Sequence, residues 1–334
     1  ACEAATDDGR QLDDSDAEDD TGLEKPVDEQ GDGDTAGEGD EDSAGCSKMD
    51  ILFVIDDSGS MDCEQRMLGQ AFPGFIDVLE QYSNANASKI SYRVGVTSTG
   101  RSISYKEKTG WPFGEMPFDS VGMDGRLATG AGMSNPWIDG PGDQAQIASQ
   151  FSQIANLGTQ GPGYEMPLEA MRMAIEQTAN GEINEGFLRD DALFIAVVIT
   201  DEDDCSRTDN NFSRPSANIE NCLVPEPDPG LESLGIYMDY LDQKFGGEDQ
   251  YVFVSIAAQH DCSGDSYPVK CGATDQYPGA RKAIRLEDFV TNYVNGGSND
   301  TGLFADICTS DMPEALAQSL EKMEFACSRF CGVI

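Results

Sequence analysis

Met49-Asp50-Ile51-Leu52-Phe53-Val54-Ile55-Asp56-Asp57-Ser58-Gly59-Ser60 decides how the chain is read. Its first half is continuously apolar, the pattern of a strand buried on both faces of a sheet. Its second half turns polar at once, and every residue from Asp56 to Ser60 is a turn former. A helical stretch follows, with Leu68, Phe72, Phe75, Ile76 and Leu79 at helical spacing. Pro73-Gly74 is expected to kink or divide that helix.

The alternation continues downstream. Tyr92 to Thr97 reads as a strand, Gln146 to Leu157 as a short helix, and the segment from Pro167 as a stronger helix with Leu168, Met171, Ile175 and Thr178 on one face. Leu193 to Thr200 is the clearest strand, Leu234, Tyr237 and Leu241 mark a helix, and Tyr251 to Ala257 mark a further strand. The last helix starts with Asp311 as N-cap, Pro313 in the first turn and Glu314 three residues after the cap; Leu316, Leu320 and Met323 are its buried stripe. Strands alternating with helices imply a doubly wound α/β fold, a mostly parallel sheet with helices on both faces. The stretches Gly100 to Asp143, Glu202 to Gly230 and Asp261 to Gly279 interrupt it as loop insertions, the first also holding edge structure.

Composition narrows the setting. The chain has 334 residues, 62 acidic against 21 basic, for a net charge of −41. Such a balance argues against a nucleic-acid partner and against unaided docking on anionic lipid. Ten cysteines with a single histidine, His260, and no C-x-x-C pair argue against zinc and for disulfides, hence export. The longest strongly apolar run, Ala192 to Ile199, is too short to cross a bilayer. From Glu3 to Gly45 the chain carries eighteen acidic residues and no aromatic, a composition expected of a disordered acidic tether over residues 1–45, with the folded domain over 46–334. Asp28 to Asp42 superficially resembles calcium loops, but Ala36 stands where a third ligand belongs. The start, Ala1-Cys2-Glu3, resembles the end of a bacterial lipoprotein signal, which would make Cys2 a lipid anchor and the only membrane contact. The alternative is that Cys2 is one more disulfide cysteine or an unpaired one.

Disulfide connectivity does not follow from spacing. Cys262–Cys271 and Cys205–Cys222 are the plausible short loops, and a bridge from Cys46 to Cys327 or Cys331 would join the ends of the domain.

The chemistry gathers at strand ends, where open α/β sheets bind their ligands. Asp56, Ser58 and Ser60 alternate in a tight loop that Gly59 relaxes, so their oxygens can turn toward one spot. Asp201 adds a carboxylate after a second strand, and Thr159 a hydroxyl from a loop between them. An all-oxygen set suits a hard cation: magnesium first, with manganese or calcium as alternatives. Taken alone, the pentapeptide would be an ordinary turn. The strand before it, the helix after it, the threonine loop and the later Thr200-Asp201 reverse that reading.

These residues resemble the von Willebrand factor A family, whose metal-ion-dependent adhesion site has an Asp-x-Ser-x-Ser loop, a threonine in a middle loop and an aspartate after a later strand. Asp56, Ser58, Ser60 and Asp201 match position by position; Thr159 is followed by Gly161-Pro162-Gly163, which departs from the usual family loop. The resemblance spans roughly Lys48 to Cys327. Ile199 to Cys205, the cysteine richness and the acidic leader are similar to myxobacterial-type surface lipoproteins of this family. The resemblance implies that Ser58, Ser60 and Thr159 bind the cation directly and Asp56 and Asp201 largely through water. It implies a coordination position kept for a carboxylate of a protein or surface ligand, and thus an exported adhesion module, secreted or held at the bacterial outer membrane. A structural scaffold with a metal-stabilised loop is the alternative, and an exported metal-dependent hydrolase a third. Asp57, Asp203 and Asp204 are expected to be solvated loop charges on the same rim. His260-Asp261-Cys262 invites a nucleophilic triad, but Cys262 has a pairing candidate and no nucleophile-elbow or phosphate-loop motif occurs, so no enzyme is expected.

Overall fold

The computed structural model describes residues 46–81, 90–108, 115–208, 230–247, 250–263, 279–296, 301–309 and 312–330. The expected tether, Cys2, the Cys205–Cys222 pairing and the Asp311 cap fall on residues outside these.

The elements follow in chain order: β1 (Lys48–Ile55), α1 (Asp62–Gln81), β2 (Ser91–Ser98), β3 (Ile103–Lys108), β4 (Glu115–Ser120), β5 (Ile138–Gly140), α2 (Gln144–Ala155), α3 (Pro167–Glu176), β6 (Leu193–Ile199), α4 (Leu234–Phe245), β7 (Tyr251–Ala257), β8 (Cys262–Ser263), β9 (Gly279–Ala280), α5 (Ile284–Asp288) running into a π-helical segment (Phe289–Val294), β10 (Gly302–Asp306) and α6 (Met312–Arg329). Six strands form one sheet in the order β10-β7-β6-β1-β2-β5. All pairings are parallel except β5 on β2. β3 and β4 make a separate antiparallel hairpin inside the first insertion.

β1 lies at the centre, paired with β2 on one side and β6 on the other. Its alternate side chains divide the core, because successive residues of a strand face opposite ways. Ile51, Phe53 and Ile55 pack with α1, α2 and α6, while Leu52 and Val54 pack with α3, α4 and α5. Phe53 sits edge-on to Phe72, Phe75 and Phe151, with ring centroids 6.1, 6.2 and 5.1 Å away. Such aromatic contacts add roughly 1 kcal/mol each beyond burial. Asp50 is the one charge among these apolar positions. It is buried and neutralised by Arg189, whose Nη2 lies 2.7 Å from Asp50 Oδ1.

Three expectations need correction. Pro73 does not divide α1, which runs unbroken from Asp62 to Gln81. Pro73 and Gly74 face solvent while Phe72, Phe75 and Ile76 are buried. Water can therefore take the carbonyl that proline leaves without a partner, while the buried face on either side keeps the helix continuous. Cys262 is bonded to Cys308 and not to Cys271. β7 and β10 are parallel neighbours, so the loops leaving them lie side by side and bring together cysteines 46 residues apart in sequence. The stretch from Ile284 to Asp306, unassigned in the sequence, holds α5, the π-helical segment and the edge strand β10. The bridge between the ends is Cys46–Cys327. Cys63 and Cys205 are also disulfide-bonded. No helix among the described residues is long and apolar enough to cross a membrane.

Candidate metal centre

β1 and β6 are adjacent and parallel, so both deliver their following residues to the same sheet edge. Asp56 N still donates to Ile199 O at 2.9 Å, and the chain leaves the ladder immediately afterwards. Asp56 is fully buried, and both its carboxylate oxygens are held. Oδ1 accepts from Ser58 N at 2.7 Å, closing an Asx turn, and Oδ2 accepts from Thr200 Oγ1 at 2.7 Å. That turn sets the Ser58 and Ser60 hydroxyl oxygens 3.3 Å apart. Asp201, reached from β6, is buried and bonded by Ser60.

Gln65 on α1 braces the loops. Its Nε2 donates to Asp56 O at 2.8 Å and to Gly158 O at 2.9 Å, while its Oε1 accepts from Gly158 N at 3.1 Å. Gly161 N donates to Asp57 O at 2.8 Å. A Cβ on Gly161 would fall 2.1 Å from Asp57 Oδ1, so only glycine lets the two loops meet there.

Ser58, Ser60 and Asp201 line an open cleft of about 480 Å³ together with Gly163, Glu202 and Arg281. Asp56 stands behind it. Four of the five sequence-selected residues therefore come together. Thr159 is half-buried on the loop that Gln65 holds, and it does not line the cleft.

The rim charges differ from expectation. Asp57, Asp203 and Asp204 are buried, where solvated loop charges were expected. Asp203 accepts from the backbone N–H of Arg285 at 2.9 Å and of Leu286 at 3.3 Å, at the start of α5. Asp204 pairs with Arg285 at 3.1 Å and accepts from Leu168 N at 3.2 Å in the first turn of α3. Asp203 and Asp204 thus satisfy helix-end donors that have no partner within the helix, which is why they are inside.

Glu165, not selected from the sequence, is buried beside them. Its Oε2 accepts from Thr99 Oγ1, and Thr99 N in turn donates to Ile55 O, the residue before Asp56, at 3.2 Å. Burial, then mutual repulsion, pushes the carboxyls of Asp57 (to about 7), Glu165 and Asp201 upward, and burial raises Asp56. Asp57 Oδ1, Glu165 Oε1 and Asp201 Oδ1 are buried without a hydrogen-bond partner. An unpaired buried carboxylate is costly, and several together call for protons or a cation. The donors in reach are all oxygens, the chemistry of a hard divalent cation. Asp201 Oδ1 and the two serine hydroxyls at an open cleft fit one.

A second cluster, His260, Asp306 and Cys308, has ligand atoms within 4.8 Å of one another. The Cys308 sulfur is held by Cys262, so no thiolate is present for a metal, and Cys262 is no nucleophile.

No family model and no curated protein matches the chain. Among solved structures it is similar to proximal thread matrix protein 1 from the mussel byssus with zinc occupied MIDAS motif, at 10% identity over 85% of this chain and 47% of that one, TM-score 0.38. It is similar to the manganese-loaded Plasmodium vivax TRAP protein at 11% identity over 86% of this chain and 76% of that one, TM-score 0.37. The human COPII-coat protein Sec24c matches at 11% identity over 78% and 30%, TM-score 0.38. The chain spans about half the length of the mussel protein. Strand order and register, rather than likeness at this level, establish the architecture: a doubly wound, mostly parallel sheet covered by helices on both faces, as in von Willebrand A-type and Rossmann-like domains.

Proposed function

We propose that the chain is an exported, metal-dependent adhesion or ligand-binding module. One observation carries the reading: two serine hydroxyls and a partnerless buried carboxylate oxygen meet at the wall of an open cleft, beyond the ends of two adjacent strands. Asp56, Ser58, Ser60 and Asp201 would hold the cation; Thr159, the further hydroxyl that the sequence pattern names, is half-buried and does not line the cleft. Magnesium is the first expectation, manganese or calcium the alternatives. The cation would supply an electrophilic position for a carboxylate oxygen of a partner.

The chain's own residues prepare that position. Ser58 N and Thr200 Oγ1 fix the Asp56 carboxylate, and Gln65 locks the Asp56 and Gly158 loops together. Arg281 is exposed on the cleft wall and tied through its backbone N–H to Asp201 O at 2.7 Å. It is a cationic second contact for the same acidic partner group, which an Arg guanidinium can grip bidentately. The disulfides support export, since such bonds persist in oxidising compartments. Display at a cell surface through Cys2, or secretion, belongs to the same proposal.

The decisive experiment is a binding screen against surface polysaccharide, matrix proteins and cell-envelope proteins, with and without chelator. Binding abolished by chelator and restored by magnesium is the expected result. Metal binding without any metal-dependent partner would favour a scaffold whose cation only stabilises the loops.

A further inference from the structure

Glu165 is the buried acid whose place in the fold the site above leaves unexplained. It follows the loop carrying Thr159 and stands two residues ahead of α3. The backbone pins it from both sides: Cys205 N donates to Glu165 O at 2.7 Å, and Met166 N donates to Thr99 O at 3.2 Å. Its side chain is 1% exposed, with Oε2 taken by Thr99 and Oε1 without a partner. Oε1 is thus an acceptor with no donor, on a residue held next to the end of β1 by Thr99, whose N donates to Ile55 O at 3.2 Å.

Neighbouring buried carboxylates repel unless a proton or a cation stands between them. Asp203 and Asp204, by contrast, have donors on both carboxylate oxygens, from α5 and α3. Of the segment from Gly158 onward only Gly163 lines the cleft; Thr159 does not and is half-buried, while Glu165, like Asp56, is buried and outside the lining. The loop from Gly158 to Gly163 thus brings the backbone of Gly163 to the cleft, and the first acid after it is buried.

Resting on the metal-binding reading of this cleft, we propose that Glu165 is a metal-facing carboxylate of the site, standing where the sequence pattern expects Thr159. A hydroxyl at that position would leave the charge of the site unchanged, whereas a carboxylate adds to the negative charge of Asp56 and Asp201. The site therefore holds its cation more tightly and leaves it less electrophilic than a hydroxyl-rich set would. Calcium and manganese gain most, since the charge count of the ligands tunes the affinity of oxygen sites for hard cations.

The test is calorimetric titration of manganese and calcium chloride into the metal-free full chain, wild type against Glu165→Gln and Thr159→Ala. Melting is followed in parallel in chelator and in manganese. Glutamine keeps the shape and the Thr99 contact but removes the charge. The expected result is a loss of manganese affinity of about tenfold or more in Glu165→Gln, the range seen when groups supporting a metal site are removed. Thr159→Ala should bind as the wild type does. In chelator Glu165→Gln should melt no lower than wild type, and manganese should raise the melting temperature of wild type and Thr159→Ala more than that of Glu165→Gln. Should glutamine prevent folding, Glu165→Asp keeps the charge with a shorter reach, and it should weaken manganese binding without lowering the melting temperature in chelator. Wild-type affinity in Glu165→Gln or in Glu165→Asp, or loss of binding in Thr159→Ala, would overturn the assignment while leaving the cleft a metal site. Absence of divalent binding in the wild type would overturn the cleft reading and this inference with it.

Discussion

Thr200 Oγ1 donates to Asp56 Oδ2 at 2.7 Å, joining residues 144 apart in sequence at the ends of two neighbouring strands. The same hydroxyl accepts from Glu202 N at 3.0 Å, so it both holds Asp56 and starts the loop that carries Asp201 onward. Replacing it with an isosteric methyl removes the first bond and leaves a buried carboxylate oxygen without its donor. Thr200→Val should therefore cost about 1–3 kcal/mol of stability and weaken divalent binding. Urea unfolding with calorimetry checks it; unchanged values in both would mean that Asp56 is held well enough by Ser58 alone.

Ser58→Ala with Ser60→Ala should abolish metal-dependent partner binding and leave the fold intact. The two hydroxyls line the cleft beyond the strand ends, whereas the core rests on the β1, β6 and β7 side chains. Circular dichroism should remain native and surface binding should vanish. Wild-type adhesion by the double variant would put the contact elsewhere.

The metal-free protein should lose stability as pH rises from about 4 to 7. Burial, before any other cause, lifts Asp57 and Asp203 to about 7 from a normal carboxylate value of 3.8. An acid raised in the folded state binds its proton more tightly there than in the unfolded chain. Its favourable contribution is complete below the unfolded value, declines through this window and is gone above the folded value. Asp56, Glu165 and Asp201 shift in the same direction. Saturating divalent cation should flatten the decline. Thermal unfolding in chelator across pH 4 to 8 reads it directly, and stability rising with pH there would contradict it.

Breaking the Cys46–Cys327 bridge with alanine at both positions should destabilise the domain by roughly 5–6 kcal/mol, on the entropic account of long loops. Cys46 N also donates to Cys327 O at 2.9 Å, so part of the closure survives the loss of sulfur. Chemical denaturation under non-reducing conditions measures the difference; a change below about 1 kcal/mol would show that the backbone contact suffices.

The sheet was legible because β1, β6 and β7 are covered on both faces and must read as unbroken apolar runs. Asp56 and Asp201 were legible because each ends such a run. β10 was missed: it is a short edge strand with Leu303, Phe304 and Asp306 half-exposed, and it carries neither a continuous run nor a clean alternation. The partner of Cys262 was missed because adjacency of β7 and β10 is a property of topology, and sequence spacing favours the nearer Cys271. The burial of Asp203 and Asp204 was hidden for a related reason. Their partners are backbone donors of helices that only the folded chain brings near. Gln65 and Glu165 look like ordinary polar residues of a helix and a loop. For Glu165 one signal existed: Gly161-Pro162-Gly163, just ahead of it, departs from the loop of the family the sequence resembles.

β1 begins two residues after Cys46 and ends one residue before Asp56, so a single strand runs from the covalent staple to the cleft. A pull applied at the cleft and resisted by the chain entering at Cys46 acts along that strand. Its register with β2 and β6 then loads the hydrogen bonds of both ladders in shear, all at once, where peeling would break them one at a time. Behind it the Cys46–Cys327 bond passes the same tension to α6. The cleft lies at the end of the central strand, so a load applied there would run along the direction in which both ladders resist in shear.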